Sequence, residues 1–141
     1  MTKMLTVCID ANVYISAIAF GGKPSKIIEL ALARKFHLVV SIAILNEVKR
    51  NLIKKLDFTE EEVDSLLKII VEVSSVYQPT GTLKIIEHKA DNLVLETALM
   101  ANADVLVTGD KKDLLPLKIL NGVVIEPPSA FLDRFEKLEN P

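Results

Sequence analysis

The sequence predicts an α/β domain built on a mostly parallel sheet. Three observations carry that prediction. Short apolar runs rich in β-branched residues alternate with longer stretches of helical periodicity. Several of the longer stretches carry helix start signals. Two of the apolar runs, "TVCI" and "VLVTG", lead straight into an aspartate, as expected of strands whose carboxyl ends form a ligand-binding edge. At 141 residues the chain has the size of one domain, taken here as 1–141.

"MLTVCI", ending before Asp10, reads as a buried strand, and "FHLVVS", "DVLVT" and the shorter "VVIE" read the same way. "PSKIIELALARK" is a helix with Pro24 near its start, where a missing N–H costs little, and Arg34 and Lys35 at the negative end of its dipole. "SIAILNEVKRNLIKKL" has Ser41 as N-cap and Ile44, Leu45, Val48, Leu52 and Leu56 at helical spacing. "TEEEVDSLLKIIVEV" places Glu62 three residues after Thr59, the spacing of a capping box. "DNLVLETALMAN" and "SAFLDRFEKLE" are further helices. The resulting order is strand, helix, helix, strand, helix, helix, a short strand near Val76 and Tyr77, helix, strand, strand, helix. Residues 78–91 read as a loop wandering over the surface.

Composition narrows the function classes. Half the residues are apolar and the net charge is −2, which fits a compact chain and announces no nucleic-acid binder. The longest nearly apolar stretch, Phe36 to Leu45, is broken by His37 and Ser41 and is too short to span a bilayer. With no signal-like leader before Leu5, the expected location is the cytoplasm. A single cysteine, Cys8, excludes an internal disulfide and a Cys-cluster zinc site and reads as a small buried residue. Charge is unevenly distributed: residues 22–55 hold eight basic side chains against Glu29 and Glu47, and five acids follow within residues 57–64. The basic region suits either phosphate contact or ordinary solvated helices.

The candidate site lies at the strand ends. Asp10 and Asp110 emerge at one edge if their strands are central and parallel, and Gly109 is expected to let the chain turn tightly there. Asp91 heads a helix whose Val94, Leu95 and Ala98 follow it at positions three, four and seven, so it sits on the buried stripe. Each acid also has an ordinary structural reading, as a helix cap or a turn residue. Together, three converging carboxylates repel one another unless a cation neutralises them, and oxygen ligands suit Mg²⁺ or Mn²⁺.

"VCIDANVYISAI", "SIAILNEVKRNL", "ADNLVLETALMANADVLVTGDKKDLL" and "VVIEPPSAFL" give the chain a resemblance to the PIN-domain family along essentially its whole length. It looks most like the small prokaryotic members found as toxins of toxin–antitoxin pairs. The resemblance implies a three-layer α/β/α sandwich, a PIN-like fold, and an endoribonuclease that uses Mg²⁺ or Mn²⁺. Its four acids, catalytic and metal-ligating alike, fall on Asp10, Glu47, Asp91 and Asp110. By pattern alone Glu47 reads as a solvated residue on the polar flank of its helix. Asn12 and Thr108 match residues expected to orient carboxylates or water by hydrogen bonds. Asp113 is a candidate to help through a metal-bound water, or simply starts a helix. Ala11 stands where many members have threonine.

The activity implied is hydrolysis of single-stranded or structured RNA by a metal-activated water, with no protein nucleophile. His37 and His88 lack the serine or cysteine neighbours of a triad and read as core or surface histidines. Lys49, Arg50, Lys111 and Lys112 are candidate phosphate contacts. The expected partners are RNA, a protein antitoxin and a second copy in a homodimer, with no membrane. Two other readings stand beside this one: a non-catalytic RNA-binding or protein-interaction module on the same fold, and a phosphate-accepting receiver domain. The latter wants a pair of adjacent acids after the first strand, which "IDAN" does not supply.

Overall fold

The computed structural model describes residues 4–140, so residues 1–3 and 141 of the expected 1–141 domain lie outside the described residues. In chain order the elements are β1 (Thr6–Ile9), α1 (Ala11–Phe20), α2 (Gly22–Leu32), β2 (His37–Ser41), α3 (Ile42–Leu56) and α4 (Glu60–Glu72). Then come β3 (Ser74–Tyr77), α5 (Lys89–Met100), β4 (Val105–Val107), a 3-10 turn (Leu115–Leu117), β5 (Ile119–Leu120), β6 (Val123–Glu126) and α6 (Pro128–Glu139). The strands form one sheet in the order β3-β2-β1-β4-β6-β5, and every pairing is parallel except β5 with β6.

The central strands explain their own sequence. Val7, Cys8 and Ile9 of β1, Leu38, Val39 and Val40 of β2, and all three residues of β4 are buried. Successive strand residues face opposite sides, so both faces of the sheet are covered and the fold is a three-layer α/β/α sandwich. That is why these strands read as continuous apolar runs rather than alternating ones. His37, at the first residue of β2, is exposed, and its Nε2 lies 3.0 Å from Ser75 Oγ.

The helices start where their capping residues direct. Ser41 Oγ accepts from the Ile44 amide at 3.2 Å. Thr59 and Glu62 form the full capping box, at 3.1 and 2.9 Å. Lys49 of α3 donates to Glu60 and Asp64 of α4 at 3.2 and 2.8 Å, so the basic and acidic runs partly neutralise each other across that helix pair. Toward the end of the chain, Phe36 meets Phe131 and Phe135 of α6 in edge-to-face contacts, and Arg134 holds Glu126 through two 2.9 Å hydrogen bonds.

Two features differ from the sequence expectation. The 3-10 turn and β5 are additional; β5 pairs with β6 through Asn121 and Gly122, both at positive φ (47° and 85°), the conformation of a two-residue hairpin turn. The segment 78–88 does not wander: it is tethered to α5. Asn92 Oδ1 accepts from the amides of Ile85 and Ile86 at 3.0 and 2.8 Å, and its Nδ2 donates to the Ile86 carbonyl at 2.6 Å. Glu96, one turn on, accepts from the Thr80 hydroxyl at 2.7 Å and the Gly81 amide at 3.0 Å.

Removing the buried Asn92 amide leaves three backbone groups without their partner. Asn92→Ala is expected to cost about 1–3 kcal/mol and to speed hydrogen exchange at Ile85 and Ile86 ahead of the sheet amides. Protection unchanged at those two residues in an exchange experiment would show that the loop is held by something else.

Candidate metal centre

The strand order creates the site. The connections leaving β1 and β2 step toward β3, whereas the one leaving β3 returns to β4, so the order reverses between β1 and β4. Ligands of open α/β sheets bind in the crevice at such a point. The register aligns Ile9 with Val107, and the Asp10 amide donates to the Val107 carbonyl at 2.9 Å. Asp10 and Thr108 therefore leave adjacent strands side by side.

Asp10 is 6% exposed. Its Oδ1 accepts from the Ala11 amide at 2.7 Å, capping α1, and its Oδ2 accepts from the Thr108 hydroxyl at 2.7 Å. Burial pushes the Asp10 carboxyl up to about 6; the Thr108 hydrogen bond opposes the rise, and the negative charges of Glu47 and Asp91 add to it. Thr108, itself fully buried, spends its one hydroxyl proton on Asp10 and accepts from the Asp110 amide at 3.0 Å. One side chain thus fixes both aspartates relative to each other.

Asp110 has a structural task as well: its Oδ1 accepts from the amides of Lys112 and Asp113 at 3.0 and 3.1 Å, folding the turn after β4. That turn brings Asp113 back toward α5. Asp91, Asp110 and Asp113 each present a carboxylate oxygen, and these oxygens lie within 4.8 Å of one another. Burial raises the pKa of Asp91, and the charges of Asp110 and Asp113 raise it further; His88 opposes them. The His88 Nε2 stands 3.8 Å from Asp113. Among the described residues, no lysine or arginine pairs with any of these acids. Clustered carboxylate oxygens that no lysine or arginine neutralises form a donor set that fits a hard divalent ion.

The structure brings together most of the residues singled out in the sequence. Glu47 is half-buried, close enough for its charge to act on Asp10 and Asp91, and lines a cleft between α3 and α5. Asn12 Oδ1 accepts from the Gly109 amide at 3.3 Å. Gly109 is not at positive φ, and a Cβ there would meet Asn12 at an ordinary 3.8 Å, so the turn does not depend on glycine's conformational freedom. Asp113 belongs to the same carboxylate group as Asp91 and Asp110. Lys49 is engaged by α4, Arg50 lines the α3–α5 cleft, and Lys111 and Lys112 are exposed in the turn after Asp110. Lys89, beside Arg50 in the cleft, was not singled out from the sequence. Its position at the first turn of α5, ahead of Asp91, was the available signal.

A family model for the PIN domain matches residues 6–112. No curated protein matches the chain. Among solved structures, the chain is similar to VapBC2 from Rickettsia felis bound to a DNA fragment from their promoter, at 19% identity and a TM-score of 0.63, covering 87% of this chain and 98% of that one. It is also similar to PAE2754 from Pyrobaculum aerophilum, at 16% identity and a TM-score of 0.62, covering 94% of this chain and 90% of that one.

The folded chain keeps a proton on Asp10 up to about pH 6, whereas a free aspartate releases it near 3.8. The folded state therefore binds more protons between those values, and stability is full below about pH 4 and falls as pH rises through 6. Ionised Asp10 costs the metal-free fold about 3 kcal/mol. Asp10→Asn is expected to raise the melting temperature of chelator-treated protein at pH 8, with the gain disappearing by pH 4. Equal melting temperatures of the two proteins at pH 8 would contradict this assignment.

Proposed function

This chain belongs to the PIN-domain family, and from that premise we propose that it is a metal-dependent endoribonuclease that hydrolyses phosphodiester bonds of single-stranded or structured RNA. The observation that carries the reading is the convergence of Asp91, Asp110 and Asp113 at the carboxyl end of the sheet, beside buried Asp10, with no lysine or arginine paired to them among the described residues. In this reading Asp10, Glu47, Asp91 and Asp110 hold Mg²⁺ or Mn²⁺, and the position of Asp113 makes it a further ligand candidate. A bound divalent ion supplies a water of lowered pKa and offsets charge developing on the phosphate.

The chain's own groups do the rest. Thr108 orients Asp10 and, as a donor to its carboxylate, opposes the upward pKa shift that burial imposes. The Asp110 turn commits one oxygen to backbone amides and leaves the other for a ligand. Asn12 ties the Gly109 amide to α1, so the two strand ends move as one. Lys111 and Lys112, exposed in the turn after Asp110, are the candidates to meet RNA phosphates in this reading.

The full chain is read as one PIN-like nuclease domain, 1–141, acting in the cytoplasm; no helix among the described residues is long and apolar enough to cross a membrane. The resemblance to toxins of toxin–antitoxin pairs and the likeness to VapBC2 support a protein antitoxin as partner. Exposed Ile42, Ile69 and Val71 on α3 and α4 support a homodimer. The non-catalytic module remains the competing reading, and cleavage decides between them.

Asp91→Asn is expected to abolish Mn²⁺-dependent cleavage of a mixed single-stranded RNA pool by at least the about 100-fold that loss of an orienting partner costs at a metal site. Thr108→Val is expected to lose about 10–100-fold while still binding the ion. Wild-type protein that takes up Mn²⁺ and cuts nothing in the pool would transfer the site to the non-catalytic reading.

A further inference from the structure

The cleft between α3 and α5 lies outside the carboxylate cluster and has a volume of about 350 Å³. Its rim carries Asn46, Arg50 and Lys89, its walls are the apolar Ala90 and Leu93, and Glu47 borders both it and the acids. We propose, resting on the nuclease reading, that this cleft is the subsite for one unstacked nucleotide next to the scissile phosphate, with Arg50 and Lys89 holding that nucleotide's phosphate.

The volume is at the small end of ligand sites, which run to roughly 300–1,000 Å³. The lining matches the two halves of a nucleotide. Arg50 and Lys89 offer a planar fork and a point charge for phosphate oxygens. No side chain caps α5, so its first-turn amides add a positive end on the same side. Leu93 and Ala90 give a base an apolar surface, and the Asn46 amide both donates and accepts, as base edges require. A strand threaded past the acids reaches the cleft through its own covalent continuity. The larger groove between α2 and α6, about 600 Å³, mixes Lys26 and Lys35 with Glu29 and Glu136 and borders none of the acids.

The test measures binding without cleavage. Fluorescence anisotropy of a short single-stranded RNA is followed over a salt series with the full chain carrying Asp110→Asn, and again after adding Arg50→Gln and Lys89→Gln. The double change is expected to weaken binding about tenfold and to make the plot of log affinity against log salt shallower by about 0.7, the contribution of the one phosphate that loses its contacts. Thermal melts check that the variants stay folded; a merely structural role for either side chain leaves the salt slope where it was. An unchanged slope overturns the subsite, even if the unsubstituted protein proves to be a nuclease. The expected slope change in a protein that never cuts RNA upholds the cleft as a nucleotide site and overturns the nuclease reading instead. Loss of binding to an acidic peptide, with RNA binding intact, overturns the proposal in favour of a protein partner.

Discussion

The hydrogen bond from Thr108 to Asp10 is the contact on which the site depends. It joins the ends of the two strands between which the strand order reverses, and it supplies a donor to a carboxylate whose pKa burial raises. The parallel register of β1 and β4 makes the bond possible, because Ile9 and Val107 are paired and the next residue on each strand lies at the open edge. A slip of one residue would turn Asp10 or Thr108 to the other face of the sheet and dissolve the pairing. The apolar core that fixes the register is therefore also what fixes the distance between the two aspartates.

From that edge the other acids are recruited by separate local devices. Asp110 draws the following turn onto its own carboxylate and so delivers Asp113. Asp91 is delivered by α5, and α5 in turn is fastened to segment 78–88 by Asn92 and Glu96. Those two side chains touch no acid of the site, yet they set where the start of α5 lies against the rest of the fold. Stability and ligand binding pull in opposite directions here. Gathering carboxylates costs the empty fold free energy, and a cation returns it, so the same repulsion that weakens the metal-free chain favours binding.

Much of this was legible in the sequence. Strands buried on both faces give unbroken apolar runs, so β1, β2 and β4 announced themselves, and Ser41 and Thr59 marked helix starts by capping chemistry that acts within four residues. Asp10 and Asp110 were legible because strand ends at a sheet edge are a general place for ligands. Glu47 was not, since its helical neighbours are solvated and what it faces comes from β1 and α5, far away in the chain. The tether of segment 78–88 was hidden for the same reason: an asparagine on a helix advertises no partner six residues upstream. The β5 hairpin was a different kind of omission. Asn121-Gly122 is a strong turn signal, but two residues of strand are too few to show any periodicity.

The charge pattern shows why a sequence-level balance does not locate a binding face. Lys49 and Arg50 are neighbours in one basic helix, but a helix turns about 100° per residue, and the two leave it in different directions. Lys49 is taken up by Glu60 and Asp64 of α4, a pairing that joins two helices at the surface. Arg50 lies in the cleft with Lys89, which comes from an element thirty-nine residues further on. A cation already held by two carboxylates has little left to offer a phosphate, whereas one lining an open cleft keeps its donors for a ligand. Positive charge open to a ligand is thus a product of the α3–α5 contact and not of the basic run itself. The same contact brings Glu47 beside Asp10 and Asp91, so one helix pairing sets both the fourth acid and the flanking cations.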